Sequence, residues 1–390
     1  MTRPAVDTPA GVALVRREAA RAASASGDRL RVACRDVIVG SGDALGVRSA
    51  VAGLADVTAD LAGSGAALRE LWRDPATTDV LVNGPTEVWV DRGEGLRRVE
   101  LDVGDVRRLA TRLAAAAGQR LDDAAPVADG RLPDGVRLHA VLAPIAAGGA
   151  CVSLRRHVTR ALGLAEWHAS GGLGPLAHEV LGALVDCRAN VLVSGGTGTG
   201  KTTLLAAMLS RAPGTERIVC IEEARELAPR HPHVVHLQAR AANVQGAGGV
   251  SLTDLVRAAM RMRPDRLVLG ECRGAEVREV LLALNTGHDG GMATVHANAA
   301  PDVPARLQAL GSLAGMTPAA VAVQAVSAFD AVVHVVRRGG VRLVEQIAVL
   351  DLDEGRLRAR LALVRPTGAG DLVPSAAWDV LARRLERGAT

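Results

Sequence analysis

From residue 175 onward, short apolar strands alternate with helices whose apolar residues recur every three or four positions. That is the rhythm of an α/β domain built on a mostly parallel sheet. A glycine-rich loop holding the chain's one lysine follows the first of those strands. Upstream, short strands separated by tight turns indicate a smaller α+β domain. At about 150 residues per domain, 390 residues allow two or three.

Residues 1–60, rich in Ala, Arg and Gly and weakly patterned, are read as a helical N-terminal extension. The α+β domain is assigned to 61–160. Its strands are expected at 80–82, 88–90 and 96–101, separated by the turns Asn83-Gly84-Pro85 and Arg92-Gly93-Glu94-Gly95. Val106, Leu109, Ala110, Leu113 and Ala117 fall on one helical face. Two further strands, at 136–141 and 151–154, close the domain near Arg156.

A linker at 161–174, hinged at Ala169-Ser170-Gly171-Gly172, leads into the larger domain at 175–390. There Leu176, Ala177, Val180, Leu181, Leu184 and Val185 form a helix face. Residues 191–193 form a buried strand, and 201–209 form the helix after the glycine-rich loop. Buried strands are expected again at 218–221 and 267–269, with a helix between them that Pro264 ends. Residues 341–364 read as a hairpin turning at Asp353-Glu354-Gly355, with a C-terminal helix after it.

Hydrophobic residues at 48% and charged residues at 23% are ordinary for a globular chain and exclude a disordered one. A net charge of +4 with no block of like charge does not call for a nucleic-acid partner. With no tyrosine, one phenylalanine and four tryptophans, aliphatic side chains must build the core, and no aromatic platform for stacking bases is available. The five cysteines are scattered, odd in number and without a C-x-x-C pair, which fits a reducing compartment. Arg16, Arg17 and Arg21 interrupt the N-terminus, and no stretch reaches the roughly 18 apolar residues of a membrane span. The expected location is the cytoplasm, in contact with the membrane only through partners.

The segment Gly195-Gly196-Thr197-Gly198-Thr199-Gly200-Lys201-Thr202 satisfies G-x-x-x-x-G-K-[ST] between a predicted strand and helix, as the motif requires. Its glycines let successive N–H groups turn toward phosphate oxygens, and the helix N-terminus adds partial positive charge. Lys201 supplies a point charge to the β- and γ-phosphates, and the Thr202 hydroxyl is suited to Mg²⁺. Thr203 completes the candidate nucleotide-binding set. Of 46 basic residues only Lys201 is lysine, so a compact ammonium is kept where a guanidinium fork would not substitute.

Hydrolysis also needs carboxylates near the metal and the attacking water. Leu267-Val268-Leu269-Gly270-Glu271 is an apolar strand ending in an acid, as a Walker B element is. Glu222 and Glu223 follow the strand at 218–221, where open α/β sheets bind ligands. His288 and His296 lack metal-ligand spacing, and a histidine after a strand can sense a γ-phosphate by hydrogen bonding. Arg131, Arg137, Arg155 and Arg156 lie ahead of the hinge, in the manner of arginine fingers.

In this order the elements resemble the type II/type IV secretion ATPase superfamily. Lys201 marks the P-loop, Ile221-Glu222-Glu223 to Glu226-Leu227 the acidic box, Arg263-Pro264-Asp265-Arg266 to Gly270-Glu271 the Walker B region, and His296 the end of the histidine box. The segments Thr78 to Pro85, Arg131 to Arg137 and Arg261 to Arg266 are similar to signatures of the tight-adherence (Flp) pilus assembly ATPases, which include conjugal-transfer-associated members. The resemblance covers roughly residues 65–340.

It implies a RecA-like motor domain, a smaller N-terminal domain across a flexible linker, and a homohexamer binding ATP and Mg²⁺ between domains. Partners would be inner-membrane platform proteins of a pilus, secretion or conjugal-transfer machine. By the same resemblance Thr202 and Glu271 serve Mg²⁺, Glu222 positions water, His288 and His296 sense the γ-phosphate, and the four arginines close on it. One departure is that Glu223 stands where the family usually has Asp, one methylene shorter. Two other readings share the motifs: a nucleic-acid translocase, disfavoured by charge and aromatic content, and a nucleotide-gated scaffold with little hydrolysis.

Overall fold

The computed structural model describes residues 65–156, 162–240, 248–366 and 370–387, so the helical reading of 1–60 lies outside the described residues. They fall into two units divided at 158/159. In the first, alternation drives an antiparallel sheet with one apolar face. Strand β1 (Asp79–Gly84) buries Val80 and Val82, and β2 (Glu87–Asp91) buries Val88 and Val90. With β3 (Leu96–Val99), β4 (Val127–Arg131), β5 (Arg137–Val141) and β6 (Cys151–Arg155) the order is β3-β2-β1-β6-β5-β4. Helix α1 (Gly65–Arg73) adds Leu68 to the same core.

Helix α2 (Val106–Ala116) lays Leu109, Ala110 and Leu113 on that face, and the Asp105 carboxylate caps it by accepting the Arg108 N–H at 3.0 Å. Strand β4 was not expected. Its V-A-D-G-R sequence has little β propensity. A Cβ at its Gly130 would lie 2.9 Å from both Ala117 Cβ and Gln119 Cγ, so glycine permits that approach.

The second unit has nine strands and eight α-helices among the described residues. Helix α3 (Leu164–Ala169) occupies the stretch expected as a linker at 161–174, with Leu164 and Trp167 buried in this unit's core. This corrects the connector reading: Gly171 and Gly172 turn the chain after a packed helix. The unit continues with α4 (Pro175–Asp186), β7 (Val191–Gly195), α5 (Lys201–Leu209), β8 (Ile218–Glu222), β9 (Val234–Gln238) and α6 (Leu252–Ala259). After β10 (Arg266–Cys272), α7 (Val277–Leu284) and β11 (Met292–Val295) come two helices, α8 (Val303–Leu313) and α9 (Pro318–Ala328). The chain closes with β12 (Ala331–Arg338), β13 (Val341–Asp353), β14 (Arg356–Val364), β15 (Val373–Pro374) and α10 (Trp378–Arg387).

Sheet order is β15-β14-β13-β12-β7-β11-β10-β8-β9. Strands β12 to β9 in that order are parallel, and the expected β13–β14 hairpin extends the sheet antiparallel. Burial on both faces explains the unbroken apolar runs: Val191 and Val193 pack under α4 and α5, while Leu192 packs with α6, α7 and α9. Helix α6 stops at Ala259, and Arg263 takes φ +53° just before Pro264, where the α region is sterically disfavoured.

His334 of β12 is fully buried beside the loop strand, with Nδ1 3.0 Å from Ser194 Oγ and Nε2 unbonded. Burial holds its pKa below 6.5, outweighing the opposing pull of Glu345. Protons therefore bind the unfolded chain first. The stabilising contribution is complete above pH 6.5 and is lost as pH falls below it toward the depressed folded value. Urea unfolding between pH 7 and 5 should show stability falling with pH, and His334→Gln should flatten that slope.

Candidate active site

The loop leaving β7 takes its shape from its glycines. Gly198 and Gly200 hold φ of +72° and +98°, where a side chain costs about 1–3 kcal/mol. A Cβ on Gly195 would lie 2.4 Å from Val335 O and 2.7 Å from Thr199 Oγ1, whose hydroxyl donates to Gly196 O at 3.0 Å. Gly195→Ala should therefore cost about 1–3 kcal/mol by overpacking, seen as a lower urea midpoint at unchanged m-value. Thr197 and Gly198 form the exposed crest, while Gly196, Thr199, Gly200, Thr202 and Thr203 are half-buried. Helix α5 starts at Lys201, so its free N–H groups point out of the first turn.

Lys201 is 7% exposed, and its Nζ donates to Gly195 O at 3.1 Å and Gly196 O at 2.8 Å. Burial lowers its pKa, against the pull of Glu271. The parallel register sets Ile221 beside Leu269, which brings both candidate acids to the same end of the sheet as the loop. Thr294 Oγ1 of β11 donates to Gly270 O at 2.6 Å and fixes the backbone just before Glu271. Glu271 Oε1 lies 2.8 Å from His296 Nε2, and its Oε2 accepts from Arg273 Nη2 at 2.7 Å. Burial pushes the Glu271 carboxyl up, but Arg273, His296 and Lys201 together hold it below the ordinary carboxylate range.

Lys201 Nζ is 3.4 Å from His296 Nε2. Burial and that ammonium lower the His296 pKa against the pull of Glu271, and its Nε2 faces both the Lys201 ammonium and the Glu271 carboxylate. The two acids of the box diverge. Glu222 is 4% exposed; its Oε1 accepts the N–H groups of Glu226 and Leu227, both at 2.8 Å. Its Oε2 is buried without a hydrogen bond, 3.6 Å from His236 Nδ1. Glu223 turns outward to Arg273 Nη1 at 2.8 Å. Glycine at 270 allows this packing, since a Cβ there would lie 2.8 Å from Glu222 Cγ.

The sheet's direction corrects one expectation. His296 follows β11, but His288 precedes it, at the edge opposite the loop, where its Nδ1 is 3.1 Å from Ala283 O. Being separated from Lys201 by the strand's length, it is not part of this cluster. In the first unit Arg131 Nε donates to Gly135 O at 2.8 Å, Arg137 pairs with Asp129 at 3.1 Å, and Arg155 lies 3.9 Å from Asp79. Arg156 donates to Trp72 O at 2.8 Å and stacks on the Trp72 ring at 4.5 Å. Arg273 and His236 escaped the sequence reading. Arg273 is one arginine among many, and only its position two residues after Glu271 singles it out.

The cradle of N–H groups and the buried ammonium suit a polyphosphate. The Thr202 hydroxyl and the ionised Glu271 carboxylate are the hard oxygen donors Mg²⁺ takes alongside phosphate oxygens and water, so this donor set fits that ion.

A family profile described as Type II/IV secretion system protein matches residues 62–347. A protein of Mycobacterium tuberculosis (strain H37Rv), provisionally named a conjugal transfer protein, is 52% identical over 325 residues, 81% of this chain and 92% of its own. The type IV secretion system protein VirB11 of Bartonella quintana is 27% identical over 266 residues, 58% of this chain and 74% of its own. In fold, the crystal structure of the pilus retraction motor PilT with bound ADP matches with a TM-score of 0.54 at 19% identity, covering 82% of this chain and 85% of that one. The architecture is therefore a RecA-like core preceded by a smaller N-terminal domain.

Proposed function

Since this chain belongs to the type II/IV secretion system protein family, we propose that it hydrolyses ATP to drive a secretion, conjugal-transfer or pilus machine at the membrane. The observation that carries this reading is the convergence of Lys201, Glu271 and His296 beside the P-loop. The loop N–H groups and Lys201 bind the β- and γ-phosphates. Thr202 and Glu271 hold Mg²⁺, which neutralises phosphate charge when bound. By kinship Glu222 is the carboxylate that positions the attacking water. His296 lies between the lysine and the metal acid, so loss of the γ-phosphate would alter the surroundings of both.

Kinship extends the proposal to a homohexameric ring, to N-domain arginines (Arg131, Arg137, Arg155 and Arg156) closing on the nucleotide, and to a tight-adherence type of machine. Among the described residues no helix is long and apolar enough to cross a membrane. Inner-membrane platform proteins are therefore the proposed anchor, with the motor on the cytoplasmic side. Mg²⁺-dependent phosphate release from ATP, measured beside the mass of the assembly by light scattering, tests the proposal. Release above background supports the motor, whereas ATP-dependent assembly without release would replace it with a gated scaffold.

A further inference from the structure

The β12–β13 hairpin brings a second cation to the loop. A Cβ on Gly200 would lie 2.6 Å from Arg342 Cδ and 3.3 Å from its Nε, so the arginine stem packs directly on the last glycine before Lys201. Arg342 belongs to the same unit as the loop and sits directly opposite Arg337 in the register. A like-charge pair so placed is destabilising. Arg338 is paired with Glu345, and Arg337 has an interaction of its own. Arg342 makes no hydrogen bond or ion pair through its guanidinium among the described residues. Arg342 lies at the surface, and partial burial, then the charge of Arg337, lower its pKa from the usual arginine value. The group remains fully charged at neutral pH.

We propose that Arg342 is a phosphate-binding residue of the nucleotide site, placed by the hairpin to meet the anion from the side of the loop away from His296. The proposal rests on the reading of the loop as a nucleotide site. A bound polyphosphate would supply the anion that the Arg342 guanidinium lacks among the described residues, and glycine at 200 is what lets the arginine come so near.

The test is calorimetric titration of ATP and of inorganic tripolyphosphate into wild type, Arg342→Gln and Lys201→Ala. Arg342→Gln keeps the stem and removes the charge. It should weaken both ligands about tenfold, the scale of one charge-assisted contact. Without ligand its melting temperature should be no lower than that of wild type, since a like-charge pair has gone. An unchanged tripolyphosphate affinity would overturn the assignment, and so would a lowered melting temperature that accounts for the weaker binding. If Lys201→Ala abolishes binding while Arg342→Gln binds as wild type does, only the arginine's role fails. If wild type binds neither ligand, the nucleotide reading fails with it.

Discussion

Lys201→Ala should lower both ATP affinity and phosphate release by at least about 100-fold. Removing one preorganised donor from a reacting site typically costs about 10²–10³ in rate, and this ammonium is also a binding charge. Because Nζ bonds only to the loop's own carbonyls and lies by His296, truncation leaves two backbone acceptors beside a half-exposed surface that water can reach. Folding should therefore survive, with a circular dichroism spectrum unchanged. Arginine should not rescue the variant, since its planar fork does not fit where a 7%-exposed ammonium bonds to Gly195 O and Gly196 O. Titrated ATP binding and steady-state phosphate release check both statements, and wild-type activity in Lys201→Ala would remove the loop from the mechanism.

Glu222 should separate binding from turnover. Glu222→Gln is expected to bind ATP as wild type does and to release phosphate about 10²–10³ times more slowly, because a neutral amide orients water poorly. The buried geometry tolerates this exchange. The amide oxygen can accept the N–H groups of Glu226 and Leu227, and its NH₂ can face His236 Nδ1. Glu222→Ala is different in kind. It strands two backbone donors, and each buried unsatisfied group costs about 1–3 kcal/mol, so stability should fall along with turnover. Glu223→Ala should be milder on both counts, since that side chain is 61% exposed and touches only Arg273 among the bonded partners described. Equal losses of turnover in Glu222→Gln and Glu223→Ala would contradict this division of labour.

Much of the site was legible because its signals are local. The P-loop needs fixed spacing on one strand–loop–helix unit, and 191–195, 195–200 and 201–209 behave accordingly. Glu271 could be found because an apolar run announces a buried strand and the acid ends it. What was not legible depends on partners distant in sequence. Nothing local separates His288 from His296; strand β11 between them decides, since a histidine entering the sheet and one leaving it lie at opposite edges. Glu222 and Glu223 are neighbours of the same charge, and only the N–H groups of Glu226 and Leu227 reveal which turns inward. Strand β12 escaped because burial of 331–335 on both faces erases the alternation that would mark a strand, and β9 because it is a five-residue edge strand carrying two polar side chains. The stretch 164–169 read as part of a connector because the glycines after residue 170 look like one, while Leu164 and Trp167 find their core only in the folded unit.

The solitary lysine has a practical corollary. Every other Lys or Arg position here holds a guanidinium, so Lys201 Nζ is the sequence's one ε-amine, and it sits 7% exposed in the fold at the start of α5. An amine-selective acylating reagent thus has a single side-chain target, and its rate of attachment reads how often that amine leaves its two carbonyl partners. The protein carries a built-in reporter of site occupancy: mass spectrometry of one peptide, with no label introduced by mutation, would follow the loop through a working cycle.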